Sequence, residues 1–152
     1  MSTNTAAIPQ RVAIILNGPS NWDEWIEIVK TKTIEDEIWS YVDFSMEKTA
    51  LSFFTRSTIP RSVNVNSQKA AFSLLSKDEK KELKLLWYDY KHQLATYKQQ
   101  NAALSNLQIY IQETISRIYL FYVFKCETSY NMLIALKQRL LPTDQAHEVK
   151  LI

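Results

Sequence analysis

Apolar residues recur at steps of three and four along most of this chain, which predicts amphipathic helices rather than strands. Trp22, Trp25 or Ile26, Val29 and Thr33 fall on one such stripe, with acids and lysines on the other side. Its approach is punctuated: Gly18-Pro19 breaks the short apolar run Val12 to Leu16, which reads as extended chain. Ser20 or Asn21 then offers an oxygen to the orphan amides of the first turn, and Asp23, Glu24 and Glu27 complement the positive helix end. Ile38, Trp39 and Val42 repeat the spacing in a second short piece, and the pattern through Glu35-Asp36-Glu37 leaves open whether the two are continuous.

Residues 1–13 read as a disordered or extended tail, because Ser, Thr, Asn, Ala and Pro at its start offer almost nothing to bury. The rest, residues 14–152, reads as one helical domain interrupted by a less regular connector over 45–76, which contains Pro60 and scattered phenylalanines. Connectors of this length are uncommon in compact domains, so some structure is expected in it, with one short helix near Ser67 to Leu75.

Ser76-Lys77-Asp78-Glu79 is a capping box and opens the strongest helix. From Trp87 through Tyr90, Leu94, Tyr97, Asn101, Leu104, Gln108 and Ile111 to Ile115 the steps alternate between three and four, a coiled-coil-like seam. Unbroken, such a helix spans roughly 57 Å, more than a small domain's diameter. Either it projects and pairs with another chain, or it bends near Gln99-Gln100-Asn101 and folds onto its neighbours, and the bend is the preferred expectation. Ile118 to Phe124 has strand-like composition but lies between two helix patterns, so a buried turn of helix is expected there. Thr128 or Ser129 caps a last helix carrying Tyr130, Leu133, Leu136 and Leu140, stopped by Pro142, and Thr143 is placed to cap another.

Composition narrows the class further. One glycine and four prolines argue against an all-β fold built on tight turns, so the fold class expected is all-α, a helical bundle. At 152 residues the chain is long enough to bury roughly two thirds of its unfolded surface without disulfides. Cys126 is its only cysteine, which excludes an internal disulfide and a multi-cysteine zinc site and suits a reducing, cytoplasmic setting. The apolar runs are too short for a membrane span. The formal net charge is only +2, yet Asp23, Glu24, Glu27, Glu35, Asp36, Glu37 and Asp43 face only Lys30 and Lys32 between Asn21 and Asp43. That split reads first as a solvated helix face, second as a device for orienting subunits. No dense basic stripe for nucleic acid stands out along the sequence.

Catalytic material is scarce. His92 lies beside Lys91 in a charged helical stretch, and His147-Glu148 is half of a zinc-protease motif with Leu151 where the second histidine belongs. Cys126 lacks a local nucleophile signature and reads as a core thiol, and phosphate-cradling loops need several glycines. The expectation is therefore a non-enzyme with no cofactor, no metal and no small-molecule substrate. Trp22, Trp25, Trp39 and Trp87 are aromatic anchors either of a core or of an interface, and core packing is the plainer reading of their helical stripes.

Leu16-Asn17-Gly18, Asn21-Trp22-x-x-Trp25 and Ile38-Trp39-x-Tyr41-Val42-Asp43, taken in order, resemble the opening of copia-type LTR-retrotransposon Gag proteins of fungal kind. Trp87-x-x-Tyr90 with Tyr97 and Leu104, then Ile111 to Ile115, then Tyr130-x-x-Leu133-x-x-Leu136-Lys137-x-Arg139-Leu140-x-Pro142-Thr143, look like the family's middle and late helices. The resemblance spans about residues 14 to 143. It implies a helical capsid-type domain, the N-terminal part of a longer protein, whose copies form a virus-like particle shell around element RNA.

Two departures bear on that implication. A zinc knuckle of the Cys-Cys-His-Cys type cannot exist in a chain with one cysteine, so element RNA is expected to be held only through regions outside this chain. The chain also stops in what reads as the start of a further helix, as a truncated remnant of a longer open reading frame would. The residues the resemblance marks as family motif or interface are Trp22, Trp25, Trp39, Trp87, Tyr90, Tyr97 and Asn101. The expected behaviour is homo-oligomerisation, with no membrane partner. The competing expectation is a coiled-coil adaptor, or a domesticated Gag-derived interaction module, built on the Trp87 to Ile115 heptads.

Overall fold

The structure, a computed structural model, describes residues 14–52 and 54–141. The expectations for the tail 1–13, the Pro142 stop, a helix after Thr143 and His147 lie outside the described residues. The chain is all-α. Its helices are α1 (Trp22–Glu35), α2 (Trp39–Val42), α3 (Lys77–Glu113), α4 (Arg117–Phe124) and α5 (Ser129–Leu140). Among the described residues the one extended pairing is a parallel bridge of Leu16 with Ile115.

That bridge is built by two short hydrogen bonds, Leu16 N–H to the Thr114 carbonyl and Ser116 N–H to the Leu16 carbonyl, both 2.7 Å. The chain then turns through one 3-10 turn, Pro19–Asn21, into α1. Gly18 has φ 171°, extended backbone open to any residue, so the break comes from Pro19 and its bias on the residue before it. Asn21 stands at the helix start but makes no capping bond, contrary to the sequence reading. Its side chain reaches backwards instead, accepting from Asn17 N–H at 3.2 Å and donating to the Ile15 carbonyl at 2.6 Å. The amide thus ties the extended segment to the helix rather than satisfying the helix's own amides.

The buried stripe of α1 is Trp22, Trp25, Ile26, Val29 and Thr33. Thr33 is fully buried, and its hydroxyl bonds back to the Val29 and Lys30 carbonyls, so no polar group is stranded. The helix ends at a Schellman turn: Ile38 N–H bonds the Thr33 carbonyl at 2.9 Å and Glu37 N–H the Ile34 carbonyl at 3.0 Å. Glu37 occupies the left-handed position with φ 60°, where glycine is usual. This turn separates α1 from α2 and drives Ile38 into the core.

The core gathers Leu16, Trp22, Trp25, Val29, Ile38 and Val42 from the N-terminal part, Leu107, Ile111 and Ile115 around the end of α3, Val123 of α4, and Met132, Leu133, Leu136 and Leu140 of α5. Each fully buried side chain of this kind contributes roughly 1.5–3 kcal/mol. At its centre the Trp25 indole N–H donates to the Thr114 hydroxyl at 3.0 Å, which in turn donates to the Tyr110 carbonyl at 2.7 Å.

No break falls at Gln99-Gln100-Asn101: α3 is one helix of 37 residues, about 55 Å long. Only its C-terminal part enters the core cluster. The N-terminal part is covered instead by the connector, which is folded around three 3-10 turns, Lys48–Ala50, Ser62–Asn64 and Phe72–Leu74, the last lying where a short helix was expected. Phe54 stands between Tyr41, edge-on at 5.1 Å, and Tyr97, stacked at 4.8 Å, strapping connector, α2 and α3 together. Leu75 and Ser62 of the connector and Leu83 and Tyr90 of α3 are buried along this second, smaller contact.

Ile118 to Phe124 is helical as expected but not buried as expected. Val123 alone is fully enclosed, while Ile118, Phe121 and Phe124 point outward. At eight residues α4 turns one edge to the core, and an apolar sequence on every side leaves the other edge uncovered.

Two stability measurements check this architecture. Trp25→Ala, read by thermal or denaturant unfolding, is expected to cost about 3–5 kcal/mol, chiefly through the lost volume, with the hydrogen bond to the Thr114 hydroxyl lost as well. Glu37→Gly is expected to stabilise the fold by about 1 kcal/mol, because it relieves the left-handed strain at the Schellman turn.

Candidate functional site

The seven residues singled out from sequence do not form one site. Trp22 and Trp25 are buried in the core with their rings 5.8 Å apart. Trp39 is half-buried, edge-on to Phe44 at 6.0 Å, and Phe44 also meets Trp22 at 6.1 Å and takes Lys137 over its ring at 5.3 Å. These three tryptophans are thus packing residues first. Tyr97 is held against Phe54, and Tyr90 is buried edge-on to Trp87 at 5.6 Å. Trp87 alone among the four tryptophans is exposed, at 38 %.

Asn101 is exposed and lines a cleft of about 300 Å³ with Tyr41, Phe54, Ser105, Gln108 and Ser129. Gln108, the other polar seam position, donates to the Glu127 carbonyl at 2.9 Å and so pins the turn between α4 and α5. The Ser129 hydroxyl is the one buried side-chain polar atom without a partner among the described residues. Gln100 donates to the Glu37 carbonyl at 3.1 Å, fastening the Schellman turn to α3. The seam is therefore spent largely on contacts within the chain.

Three surfaces remain open. On α4, Ile118, Phe121 and Phe124 follow steps of three and are 62–67 % exposed, flanked by Arg117 and by Lys125, whose ammonium lies 4.2 Å from the Phe121 ring centre. Near the start of α3 a groove of about 400 Å³ is floored by Phe72, Leu83 and Trp87 and rimmed by Lys77, Lys80, Lys81 and Lys84. Lys80 lies 5.0 Å over the Phe72 ring. Lysines continue the same face at Lys91 and Lys98, while Asp78, Glu82 and Asp89 take another, so α3 carries a segregated basic face that linear inspection of the sequence missed. The third surface is the outer face of α1, where Asp23, Glu24, Glu27, Glu35, Asp36 and Glu37 are exposed.

Glu79 is where the connector is fastened to α3, beyond the capping role read from sequence. Its carboxylate accepts from Ser76 N–H at 2.9 Å, Lys69 Nζ at 2.6 Å and Asn66 Nδ2 at 2.9 Å, while Ser76 Oγ accepts from its own N–H at 3.2 Å. The Lys69 ammonium first, and then the donated hydrogen bonds, lower its pKa from 4.5 to about 2. Burial pushes the Tyr110 phenol and the Cys126 thiol upward. Cys126 is half-buried against the core, its thiol directed at the Tyr122 carbonyl, and the upward shift disfavours the reactive thiolate. His92 is exposed on α3. Among the described residues no group of three or more His, Cys, Asp or Glu side chains is placed to hold a metal ion, and no helix is long and apolar enough to cross a membrane.

The chain matches no family model, no curated protein and no solved structure.

A carboxylate with a lowered pKa stabilises the fold fully above 4.5, and that stabilisation is lost as pH falls through about 2. Thermal melting between those pH values is expected to show a loss of stability that Glu79→Gln removes, the variant being less stable than the parent at neutral pH.

Proposed function

We propose that this chain is a structural, self-associating unit of Gag capsid type, a helical building block of virus-like particle shells rather than a catalyst. The observation that carries the reading is the apolar stripe of α4. Three large side chains at more than 60 % exposure on one short helix form a contiguous patch of the sort that marks protein interaction surfaces. The ordered tryptophan and tyrosine motifs that resemble copia-type Gag add to it, and their residues serve the all-α packing such a unit needs. In this reading element RNA is held through regions outside this chain, and assembly takes place in the cytoplasm.

The coiled-coil adaptor reading is less favoured. Its seam residues Tyr97, Leu104, Gln108 and Ile111 are engaged by Phe54, the core and the Glu127 carbonyl, leaving Trp87 and Asn101 as its exposed members. A parallel partner helix has little continuous apolar seam left to meet.

Static light scattering and negative-stain microscopy over a concentration series test the proposal. Concentration-dependent oligomers or particles are expected, and Phe121→Asp with Phe124→Asp is expected to reduce them while leaving helix content unchanged. Strict monomers of the parent at the highest concentration reached would sink the reading.

A further inference from the structure

The acidic outer face of α1 and the lysine-rimmed groove of α3 have matching chemistry. Lys30 and Lys32, the only cations in the acidic stretch, are turned onto the Trp39 and Tyr110 rings at 5.6 and 5.5 Å. Six exposed acids, Asp23, Glu24, Glu27, Glu35, Asp36 and Glu37, outnumber these two cations. Among them sits Ile34, 54 % exposed, with Glu27 two turns before it and Glu35, Asp36 and Glu37 directly after. The face is an apolar knob in an acidic setting.

The groove has the converse form. Phe72, 57 % exposed, joins Trp87 and Leu83 as an apolar seat, and four lysines surround it. Among the described residues the ion pair is Lys69 with Glu79, and none of these lysines and none of the α1 acids is paired with another described residue. One surface offers an apolar knob ringed by carboxylates, and the other an apolar seat ringed by ammonium groups.

We propose that the groove at the start of α3 receives the Ile34 face of α1 from a second copy of this chain. The proposal rests on the self-association reading above and names a contact distinct from the α4 stripe. Each copy carries both surfaces, so the contact either closes reciprocally in a two-fold dimer or repeats head-to-tail into a ring or an open array. Burial of Ile34 against Phe72 and Trp87 supplies affinity. The charged rims steer the encounter and fix its register, and they exclude the like-signed pairings of groove with groove or α1 with α1.

Sedimentation velocity on the full chain tests the contact by charge exchange. Lys80→Glu with Lys84→Glu in one variant, and Glu27→Lys with Glu35→Lys in another, are each expected to weaken self-association about tenfold or more. Equimolar mixing of the two variants is expected to restore it, and raising ionic strength to weaken the parent. Ile34→Asp is expected to abolish the contact, with the helical circular dichroism of every variant unchanged because all these positions are at the surface. Oligomers that form equally well in both charge variants, or variants that stay weak when mixed, overturn this contact while leaving self-association standing. A parent that is monomeric throughout overturns both. Retention of a labelled oligouridylate through Lys80 and Lys84, with copy-to-copy contact indifferent to those lysines, overturns it in favour of a single-stranded nucleic acid partner.

Discussion

The architecture turns on the junction where the beginning of the chain meets the end of α3. Leu16 pairs with the backbone on either side of Ile115, and Trp25 reaches Thr114 with its indole N–H. A tryptophan brings the largest apolar area available to a core, but only if its N–H finds a partner. Thr114 supplies that partner at the point where α3 ends. The remaining helices are arranged around this lock: α5 packs on α3 and α4, and the Schellman turn after α1 sends Ile38 and α2 back toward the same centre.

The long helix lives in two environments. Near its C-terminus it is a core element, and near its start it is a rail along which the connector runs, held by the Phe54 stack and the Glu79 cluster. The rail explains how a helix of this length stays attached to a small domain without a break. It also explains the charge distribution: the face turned to the connector is apolar, acids occupy an adjoining face, and the lysines take what is left.

Much of the helical framework was legible because periodicity reports burial directly. Trp22, Trp25, Val29 and Thr33 of α1, and Leu133, Leu136 and Leu140 of α5, are buried as their spacing implies. The seam of α3 was legible only in part. A helix of 3.6 residues per turn drifts against a strict heptad, so the enclosed face moves onto Leu107, which the seam omitted although it continues the steps from Leu104 to Ile111. The connector's covering role was hidden because irregular chain has no period to read, and the partner of Phe54 is 43 residues away at Tyr97. Asn21 was misread as a cap because residue type and position are those of a cap, while the bond it makes depends on where Leu16 is held. The exposed edge of α4 was missed because an all-apolar sequence says nothing about which side is covered. Of the candidate site, the acidic α1 stretch could be seen in the sequence, whereas the lysine groove needed Phe72 to be brought against α3.

The separation of 89 residues between Trp25 and Thr114 has a consequence for biosynthesis. Helices α3, α4 and α5 are neighbours in sequence and can associate soon after they are made, whereas α1 leaves the ribosome first and its anchoring threonine much later. At typical elongation speeds the double-indole face waits roughly 4 to 18 s for that partner. The opposite side of α1, with Asp23, Glu24 and Glu27, needs no such partner and is already suited to water. A helix that is greasy on one side and strongly anionic on the other is thereby suited to being born before the surface it will bury against.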